Sequence, residues 1–345
     1  MLIDTVLETA VKHRASDIHF AVGLKPFIRV DGQLFELKKE SPVTNKIISD
    51  FINSVLTKEQ LAIMEERKGM DFVYAAADSV RIRVNVHFEK GNLGLVGRII
   101  PATIPTMEDI DCPDILYEFI KQESGLILVT GPAGSGKSTT LAAMIRKINE
   151  ERSANIITLE DPIEYLHTPK NSIIKQRELG VDMISFEEAL RQALREDPNV
   201  VMVGEMRDLE TISTTVTVAE TGHLVLATLH THNAPQAIDR IIDMFPPSQQ
   251  GQIKMQLSLS LKCVVSQKLV PREGGGRVAI REVMVNSPAV ANLIRLGKVE
   301  QIASVIETGS QQGMMSYKFA FREAEKKGWV SKATAKFYTE NPFSA

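Results

Sequence analysis

The chain has 345 residues, of which 43% are hydrophobic and 24% are charged, and its formal net charge at pH 7 is −3. This mixture is typical of a globular protein with room for two domains, and it disfavours a strongly basic surface for nucleic acid or membrane. No apolar run is long enough to span a bilayer, and the first residues carry acids where a signal peptide carries bases. We therefore expect a cytoplasmic protein that binds no nucleic acid.

The two cysteines, Cys112 and Cys263, are far apart in the sequence, and neither belongs to a C-x-x-C pair. We expect no disulfide, and the pattern excludes a zinc module built from cysteines.

The first hundred residues predict a small mixed α/β domain. Thr57-x-x-Gln60 is a capping-box pattern, which opens a helix, while Asp31-Gly32 and Lys90-Gly91-Asn92 each indicate a hairpin turn. The predicted elements are a helix at 3–11, a strand at 18–20, a hairpin at 26–35, helices near 44–56 and 57–67, and strands near 80–88 and 93–100.

The pattern then changes. Residues 101–106 contain two prolines and no periodicity, and from about residue 114 strands alternate with helices. Solid apolar runs such as Val200–Val203 are typical of parallel strands buried on both faces, which favours a core of the RecA type. The predicted strands lie near 126–130, 155–159, 200–204, 223–229 and 278–285, with only helices after the last. We predict an N-terminal domain at 1–100, a linker at 101–113, a RecA-like core at 114–285 and a helical region at 286–345.

A phosphate-binding loop follows the first strand of this core. Residues 131–139 fit the P-loop pattern G-x-x-x-x-G-K-[ST] between a predicted strand and a predicted helix. The glycines let backbone N–H groups face phosphate oxygens, and the helix adds its positive N-terminal end. Lys137 is expected to reach the β- and γ-phosphates, and the Ser138 hydroxyl to hold Mg²⁺, so we predict ATP and Mg²⁺ as ligands. The residues of the loop are Gly131, Pro132, Ala133, Gly134, Ser135, Gly136, Lys137, Ser138 and Thr139.

Glu205 follows the apolar strand near 200–204, where P-loop ATPases carry a Walker B acid. Parallel strands bring their carboxyl ends to the edge that holds the P-loop, so a carboxylate there can bind Mg²⁺ or orient the attacking water. We choose Glu205 as the base that polarises water. The alternative is an ordinary acid at the start of a helix, a position that favours acids in any protein.

Two weaker signals follow other strands. Glu160 and Glu164 could both face the nucleotide edge, or could belong to a solvated acidic loop. His230 and His232 share a face if the strand continues through them, and a role near the γ-phosphate competes with a metal site and with a purely structural role.

Five arginines are candidates for the nucleotide site. Arg81 and Arg83 share one strand face, Arg98 lies on the partner strand, and Arg191 and Arg195 are spaced i,i+4 on a predicted helix. Charged faces are usually just solvated, but phosphoryl transfer often uses arginines supplied by a neighbouring subunit. The second reading requires an oligomer with nucleotide at its interfaces.

Taken together, the motifs resemble the PilT-type motor ATPases of type IV pili, within the secretion ATPase superfamily. The resemblance covers essentially the whole chain. The motifs that carry it are Ser16–His19, the strands with Arg81, Arg83 and Arg98, the Walker A loop 131–139, the Asp box Glu160–Tyr165, the Walker B segment Gly204–Asp208 and the His box Thr221–Thr231.

The resemblance implies a PAS-like N-terminal α+β domain, a RecA-like ATPase domain and a homo-hexameric ring that powers pilus retraction. It implies that Glu205 is the catalytic glutamate, that His230 lies near the nucleotide and that the five arginines contact it. It also implies a protein on the cytoplasmic side of the inner membrane, with a membrane platform protein and a second PilT-like ATPase as partners.

One stretch departs from the family pattern. Retraction members carry the motif A-I-R-N-L-I-R-E, whereas residues 289–296 read A-V-A-N-L-I-R-L. Ala291 and Leu296 therefore stand where the family has an arginine and a glutamate. If both positions lie on the ring surface, two docking charges are lost. This departure favours an accessory or specialised retraction ATPase of the PilU kind.

Two other functions stay open. One is a pilus-assembly or type II/IV secretion ATPase of the same superfamily. The other is a RecA-fold translocase of nucleic acid, which would need a basic channel or stacking aromatics; a pI of about 6.2 and one tryptophan argue against it.

Overall fold

The computed structural model describes residues 2–13, 15–30, 32–76, 80–100 and 103–341, and the chain forms two compact units, Met1–Thr103 and Ile104–Ala345. Across the described ranges, none of the helices combines the length and the apolar character that crossing a lipid bilayer requires.

In the first unit, a six-stranded antiparallel sheet packs against helices. Its strand order is β3-β2-β1-β6-β5-β4. On β5 the buried Ile82 and Val84 alternate with the half-buried Arg81 and Arg83, and the buried side chains join Phe51 of α2 in one core. One face of the sheet is therefore apolar and covered, and the other carries the polar residues. The elements are α1 (Leu2–Lys12), β1 (Asp17–Ala21), β2 (Phe27–Val30), β3 (Gln33–Glu36), α2 (Asn45–Val55), α3 (Lys58–Arg67), β4 (Gly69–Ala75), β5 (Arg81–Glu89) and β6 (Asn92–Ile100).

In the second unit, helices cover both faces of a seven-stranded sheet. The strand order is β13-β12-β7-β11-β10-β8-β9, and all neighbours are parallel except β12 and β13. Every residue of β7, β10 and β11 is buried, as expected for strands covered on both sides. The elements are α4 (Ile115–Phe119), β7 (Gly125–Thr130), α5 (Lys137–Glu151), β8 (Asn155–Glu160), β9 (Ile173–Glu178), α6 (Phe186–Ala193), β10 (Val200–Val203), α7 (Leu209–Glu220), β11 (Leu224–Leu229), α8 (Ala234–Asp243), α9 (Pro247–Ser260), β12 (Leu261–Pro271), β13 (Arg277–Val285), α10 (Pro288–Leu296), α11 (Ile302–Thr308), α12 (Tyr317–Lys326) and α13 (Lys332–Glu340).

Several local expectations need correction. The hairpin loop at Lys90-Gly91-Asn92 is shorter than predicted, because Asn92 pairs with Glu89 in the ladder and only Lys90 and Gly91, both at positive φ, form the turn. Asp31 of the other predicted turn lies outside the described residues. The predicted helix carrying Arg191 and Arg195 ends at Ala193, so the two arginines do not share a helical face.

Two further segments differ from their sequence-based description. The second unit begins at Ile104, inside the segment 101–113 that we assigned to a linker, and Met107 and Cys112 of that segment are buried in its core. In α10, Leu296 is 59% exposed but Ala291 is only 9% exposed. Ala291 is therefore not a surface position, and the expectation of two lost surface charges is wrong at that residue.

Candidate functional site

The P-loop bends sharply between β7 and α5 because three of its glycines take positive φ angles. Gly131 has φ 148° and Gly136, at the start of α5, has φ 85°. A Cβ atom on Gly131 would lie 2.3 Å from the carbonyl oxygen of Gln267 and 2.6 Å from Ser135 Oγ, so only glycine fits there. The loop thus packs directly on β12.

Lys137 is the first residue of α5 and is 9% exposed. Its Nζ donates to the carbonyl oxygens of Gly131 at 2.8 Å and Pro132 at 2.9 Å. Burial lowers the pKa of Lys137, and the nearby carboxylates of Glu205 and Glu164 oppose that shift. The ammonium group is therefore held inside the loop, next to acids at the same edge of the sheet.

Other loop residues supply donors. Ser135 Oγ is buried and has no hydrogen-bond partner among the described residues. The Thr139 hydroxyl lies 2.9 Å from the hydroxyl of Tyr165, which fixes the start of α5 to the Asp box. Ser138 is half-buried and follows Lys137 directly. An unpaired hydroxyl, a lysine and a helix N-terminus at one bend fit a polyphosphate.

The strand order brings the other candidate groups to the edge that holds the P-loop. From β7 the sheet continues through β11, β10 and β8, which are all parallel. The carboxyl ends of these three strands lead to His230, Glu205 and Asp161, respectively. The Thr228 hydroxyl donates to the Gly204 carbonyl oxygen, which ties the end of β10 to β11. The structure therefore places Glu205 and His230 at the same edge of the sheet as the P-loop, as the motifs predict.

Glu205 contacts two basic side chains. Its Oε1 pairs with the guanidinium of Arg207, and its Oε2 lies 3.3 Å from His230 Nε2. Arg207 also lies 3.4 Å from the Asp161 carboxylate, so it joins the Walker B segment to the Asp box. The helix α7 is capped by Asp208, which accepts from the Thr211 N–H at 2.7 Å. Glu205 is thus not an acid of the first helical turn, which removes that alternative.

A cavity of about 220 Å³ opens beside Glu205. It gives the carboxylate access to solvent from the side of α6. Its lining residues are Leu179, Ile184, Ser185, Phe186, Glu205, Arg207 and Asp208.

Glu160, at the end of β8, lies in a different environment from Glu205. It is 7% exposed, and its carboxylate accepts from the Thr158 hydroxyl at 2.8 Å and from the Gln176 amide at 3.2 Å. Burial raises the pKa of Glu160 to about 7, although these hydrogen bonds oppose the shift. Glu164 is half-buried and close enough to act electrostatically on Lys137. Neither residue belongs to a freely solvated loop.

The histidines separate into different roles. His230 is 53% exposed and contacts Glu205, whereas His223 lies at the opposite end of β11 with its Nδ1 3.1 Å from the Val218 carbonyl oxygen. Within the described ranges, no group of three or more His, Cys, Asp or Glu side chains is arranged to hold a metal ion. The geometry therefore gives no support to a histidine metal site.

The arginines fall into two sets. Arg81, Arg83 and Arg98 lie on the polar face of the first unit's sheet, and Arg98 Nε donates to Asp17 at 3.0 Å. Arg191 pairs with Glu187 on α6, and Arg195 follows the end of that helix, where the chain leads to the amino end of β10. Arg195 is therefore separated from Glu205 by the length of β10.

Sequence patterns did not reveal two residues at the site. Arg207 stands within the Walker B segment but no pattern gives it a role, and its contacts with Glu205 and Asp161 emerge only from the fold. Gln267 is fully buried on β12, and its amide donates to the Ser135 carbonyl oxygen at 2.6 Å. Gln267 supports the P-loop from a strand 132 residues away in sequence, and no local signal marks it.

Comparison with known proteins gives these residues a family. The family model "Type II/IV secretion system protein" matches residues 1–274. The chain is 43% identical over 336 residues to the type IV pilus retraction ATPase PilT of Pseudomonas aeruginosa, covering 97% of both proteins. It is 38% identical to the type IV pilus ATPase PilU of the same organism, over 96% of this chain and 87% of that protein.

A solved structure agrees over nearly the full length. The crystal structure of the pilus retraction motor PilT with bound ADP matches with a TM-score of 0.88 at 42% identity, covering 96% of this chain and 95% of that one. Both the family match and the relatives extend over most of the sequence. The chain belongs to the type II/IV secretion system protein family.

Proposed function

We propose that this protein is an ATP-hydrolysing motor that powers retraction of type IV pili. The observation that carries the proposal is the common edge of β7, β11 and β10, where the P-loop, His230 and Glu205 lie together. Similarity to pilus ATPases along nearly the whole chain supports retraction as the work that hydrolysis drives.

Each residue at this edge has a proposed role. The N–H groups of residues 131–139 and the Lys137 ammonium bind the β- and γ-phosphates. Glu205 orients the attacking water and accepts its proton, and Arg207 and His230 hold the carboxylate in place. We also assign His230 a contact on the γ-phosphate side, because it lies next to Glu205. Glu160 and Glu164 complete the acidic side of the site.

The donor set also fits Mg²⁺, which is usually held by one or two protein oxygens together with phosphates and water. We assign the Ser138 hydroxyl as a direct protein ligand and the Glu205 carboxylate as a ligand through a coordinated water. The ion would neutralise charge on the phosphates during phosphoryl transfer.

The proposed assembly is a homo-hexameric ring. Because Arg81, Arg83 and Arg98 stand on a unit separate from the P-loop, we propose that they act on the nucleotide of a neighbouring subunit. The ring would work at the cytoplasmic face of the inner membrane, on the platform protein of the pilus machinery and beside a second PilT-like ATPase. The domain assignment that accompanies this proposal is a PAS-like N-terminal domain and a RecA-like core.

Paired variants of the purified protein test the hydrolysis. Glu205→Gln should bind ATP with the parent affinity and turn over at least ~100-fold more slowly, because it loses the base. Lys137→Ala should lose nucleotide binding, because it removes the main charge facing the phosphates. Parent-rate hydrolysis by Glu205→Gln would contradict the assigned base.

Cells carrying Glu205→Gln as their sole copy test retraction. They should be hyperpiliated and unable to twitch, whereas cells with the parent gene retract their pili. Bald cells would instead identify an assembly or secretion motor. Stimulation of the parent ATPase by DNA would favour the nucleic-acid translocase.

A further inference from the structure

A buried pair of polar side chains on β12 and β13 contacts the first turn of α5. Gln267 and Arg281 are opposite each other in the ladder, at 0% and 3% exposure. Thr140 Oγ1 donates to Gln267 Oε1 at 2.9 Å and lies 3.4 Å from Arg281 Nη2. Because the Gln267 amide donates to the Ser135 carbonyl oxygen, this pair is connected to the P-loop itself.

The other side of Arg281 faces the segment that enters the second unit. Its Nη1 donates to the carbonyl oxygens of Ile110 at 2.8 Å and Asp111 at 3.1 Å. We call residues 104–112 the connector, since they follow directly on the boundary between the two units. Arg281 therefore joins the connector to Thr140, and through Thr140 and Gln267 to the P-loop.

Helix α5 holds the connector at two further points. Arg146 donates to the Ile104 carbonyl oxygen, and Lys147 lies 3.8 Å from the Glu108 carboxylate. The helix that opens with Lys137 thus contacts the beginning and the middle of the connector, while Arg281 binds its end.

Packing alone does not explain Arg281. Within the described part of the chain it forms no ion pair with a carboxylate, and its Nε has no hydrogen-bond partner. Burial lowers its pKa, which reflects the cost of a guanidinium in an apolar setting. An apolar side chain of similar volume would fill the same space at no such cost. What the guanidinium adds is its fork of donors, which spans the connector carbonyls and Thr140.

We propose that Arg281 is a positioning residue that couples the connector to the P-loop. Nucleotide phosphates bound against residues 135–139 shift the start of α5, and Thr140, Gln267 and Arg281 carry that shift to the connector. The inference goes beyond pilus retraction and requires only that the P-loop binds nucleotide.

The full-length chain with ADP as the probe tests the coupling. In the parent, ADP should slow amide hydrogen exchange in residues 104–112. Arg281→Met keeps an unbranched side chain but removes all three donated hydrogen bonds, so connector exchange should no longer respond to ADP.

Substitutions at Thr140 provide a matched pair. Thr140→Val keeps the shape but loses the hydroxyl, and should behave like Arg281→Met; Thr140→Ser keeps the hydroxyl and should behave like the parent. Because the Thr140 pair leaves Arg281 in place, it decides the question even if Arg281→Met fails to fold.

The coupling is overturned if ADP still slows hydrogen exchange in the connector of Arg281→Met. It is also overturned if connector exchange responds to ADP equally in Thr140→Val and Thr140→Ser. A parent that binds ADP with an unresponsive connector would overturn the coupling alone. A parent that binds no ADP would overturn both the coupling and the proposed ATPase.

Discussion

Two acids at the same sheet edge have different kinds of partner, charged for one and neutral for the other. Glu205 sits between the guanidinium of Arg207 and the imidazole of His230, whereas Glu160 is buried under the neutral donors of Thr158 and Gln176. Each carboxylate oxygen has two lone pairs, so Glu205 keeps acceptor sites for a water molecule while its orientation is fixed. This difference favours Glu205 as the base, and leaves Glu160 as a carboxyl group whose charge changes near neutral pH.

Burial of Glu160 makes stability depend on pH. Its pKa rises from 4.5 to about 7 on folding, so its contribution to stability is fully present below pH 4.5 and is lost as pH rises through 7. Over that range the loss amounts to about 3.5 kcal/mol at most, from about 1.4 kcal/mol per pKa unit. We predict that the free energy of unfolding, measured in urea without nucleotide, falls less between pH 5 and pH 8 in Glu160→Gln than in the parent.

Glu282 gives a second test of that prediction, because burial also raises its pKa to about 7 while it accepts from the Ala234 N–H at the start of α8. Glu282→Gln should also reduce the fall of the free energy of unfolding between pH 5 and pH 8. The double variant should reduce it further, since the two carboxyl groups have different hydrogen-bond partners. If Glu160→Gln retains the full pH dependence of the parent, the carboxyl group is not titrating in this range.

At the scale of elements, the sequence correctly predicts those features that are stabilised by contacts between residues close in sequence. The capping box at Thr57 and Gln60 is present at the start of α3, and the P-loop lies between β7 and α5 as its motif requires. Strands β4, β9 and β12 were not predicted. Strand β9 is a polar strand at the sheet edge with no fully buried residue, and β12 interrupts its apolar run with Gln267 and Lys268, both buried.

The same limit applies to the candidate site. Glu205 follows an apolar strand and was predicted from that position, but the supporting contacts of Gln267 and Arg281 cross 132 and 141 residues of sequence. The sequence shows these side chains only as polar residues in a strand, because their partners lie on a loop and a helix that only the tertiary fold brings near.

The two departures from the family motif in α10 differ in their exposure to solvent, which the sequence pattern does not show. Ala291→Arg would place a guanidinium at a position with 9% exposure, so we expect it to lower the free energy of unfolding by about 1–3 kcal/mol. Leu296→Glu changes an exposed residue in the last turn of the helix, so its cost should stay below about 1 kcal/mol.

The two variants should also differ in function. If α10 docks on the pilus machinery, Leu296→Glu restores a surface charge and should improve retraction without altering ATPase turnover. Thermal unfolding, turnover and retraction speed, measured for both variants, check this. Equal destabilisation by both, or faster retraction with Ala291→Arg alone, would contradict the surface assignment of Leu296.

At the scale of the molecule, three of the candidate arginines, Arg81, Arg83 and Arg98, belong to a different unit from the P-loop. Strand pairing sets Arg29, Asp17, Arg98 and Arg83 side by side across the polar face of the first unit's sheet. Arg83 also lies 3.9 Å from the Asp71 carboxylate, so three guanidinium groups meet two carboxylates. The row keeps one net positive charge, which we propose meets a polyphosphate of another subunit. A shared site of this kind requires head-to-tail contacts that close into a ring.

Mixed rings test whether the site is shared. Arg98→Ala subunits keep an intact P-loop, and Lys137→Ala subunits keep intact arginines, so an interface between them can combine one working half from each. With equal amounts mixed at random in a head-to-tail ring, about one quarter of the interfaces are complete, and we predict about one quarter of the parent turnover.

The control mixture is Lys137→Ala with Glu205→Gln, since both residues act at the same sheet edge of the second unit. That mixture should gain nothing. If neither the Arg98→Ala mixture nor the corresponding Arg81→Ala and Arg83→Ala mixtures exceed the mean activity of their components, the arginines of the first unit do not complete a neighbour's site.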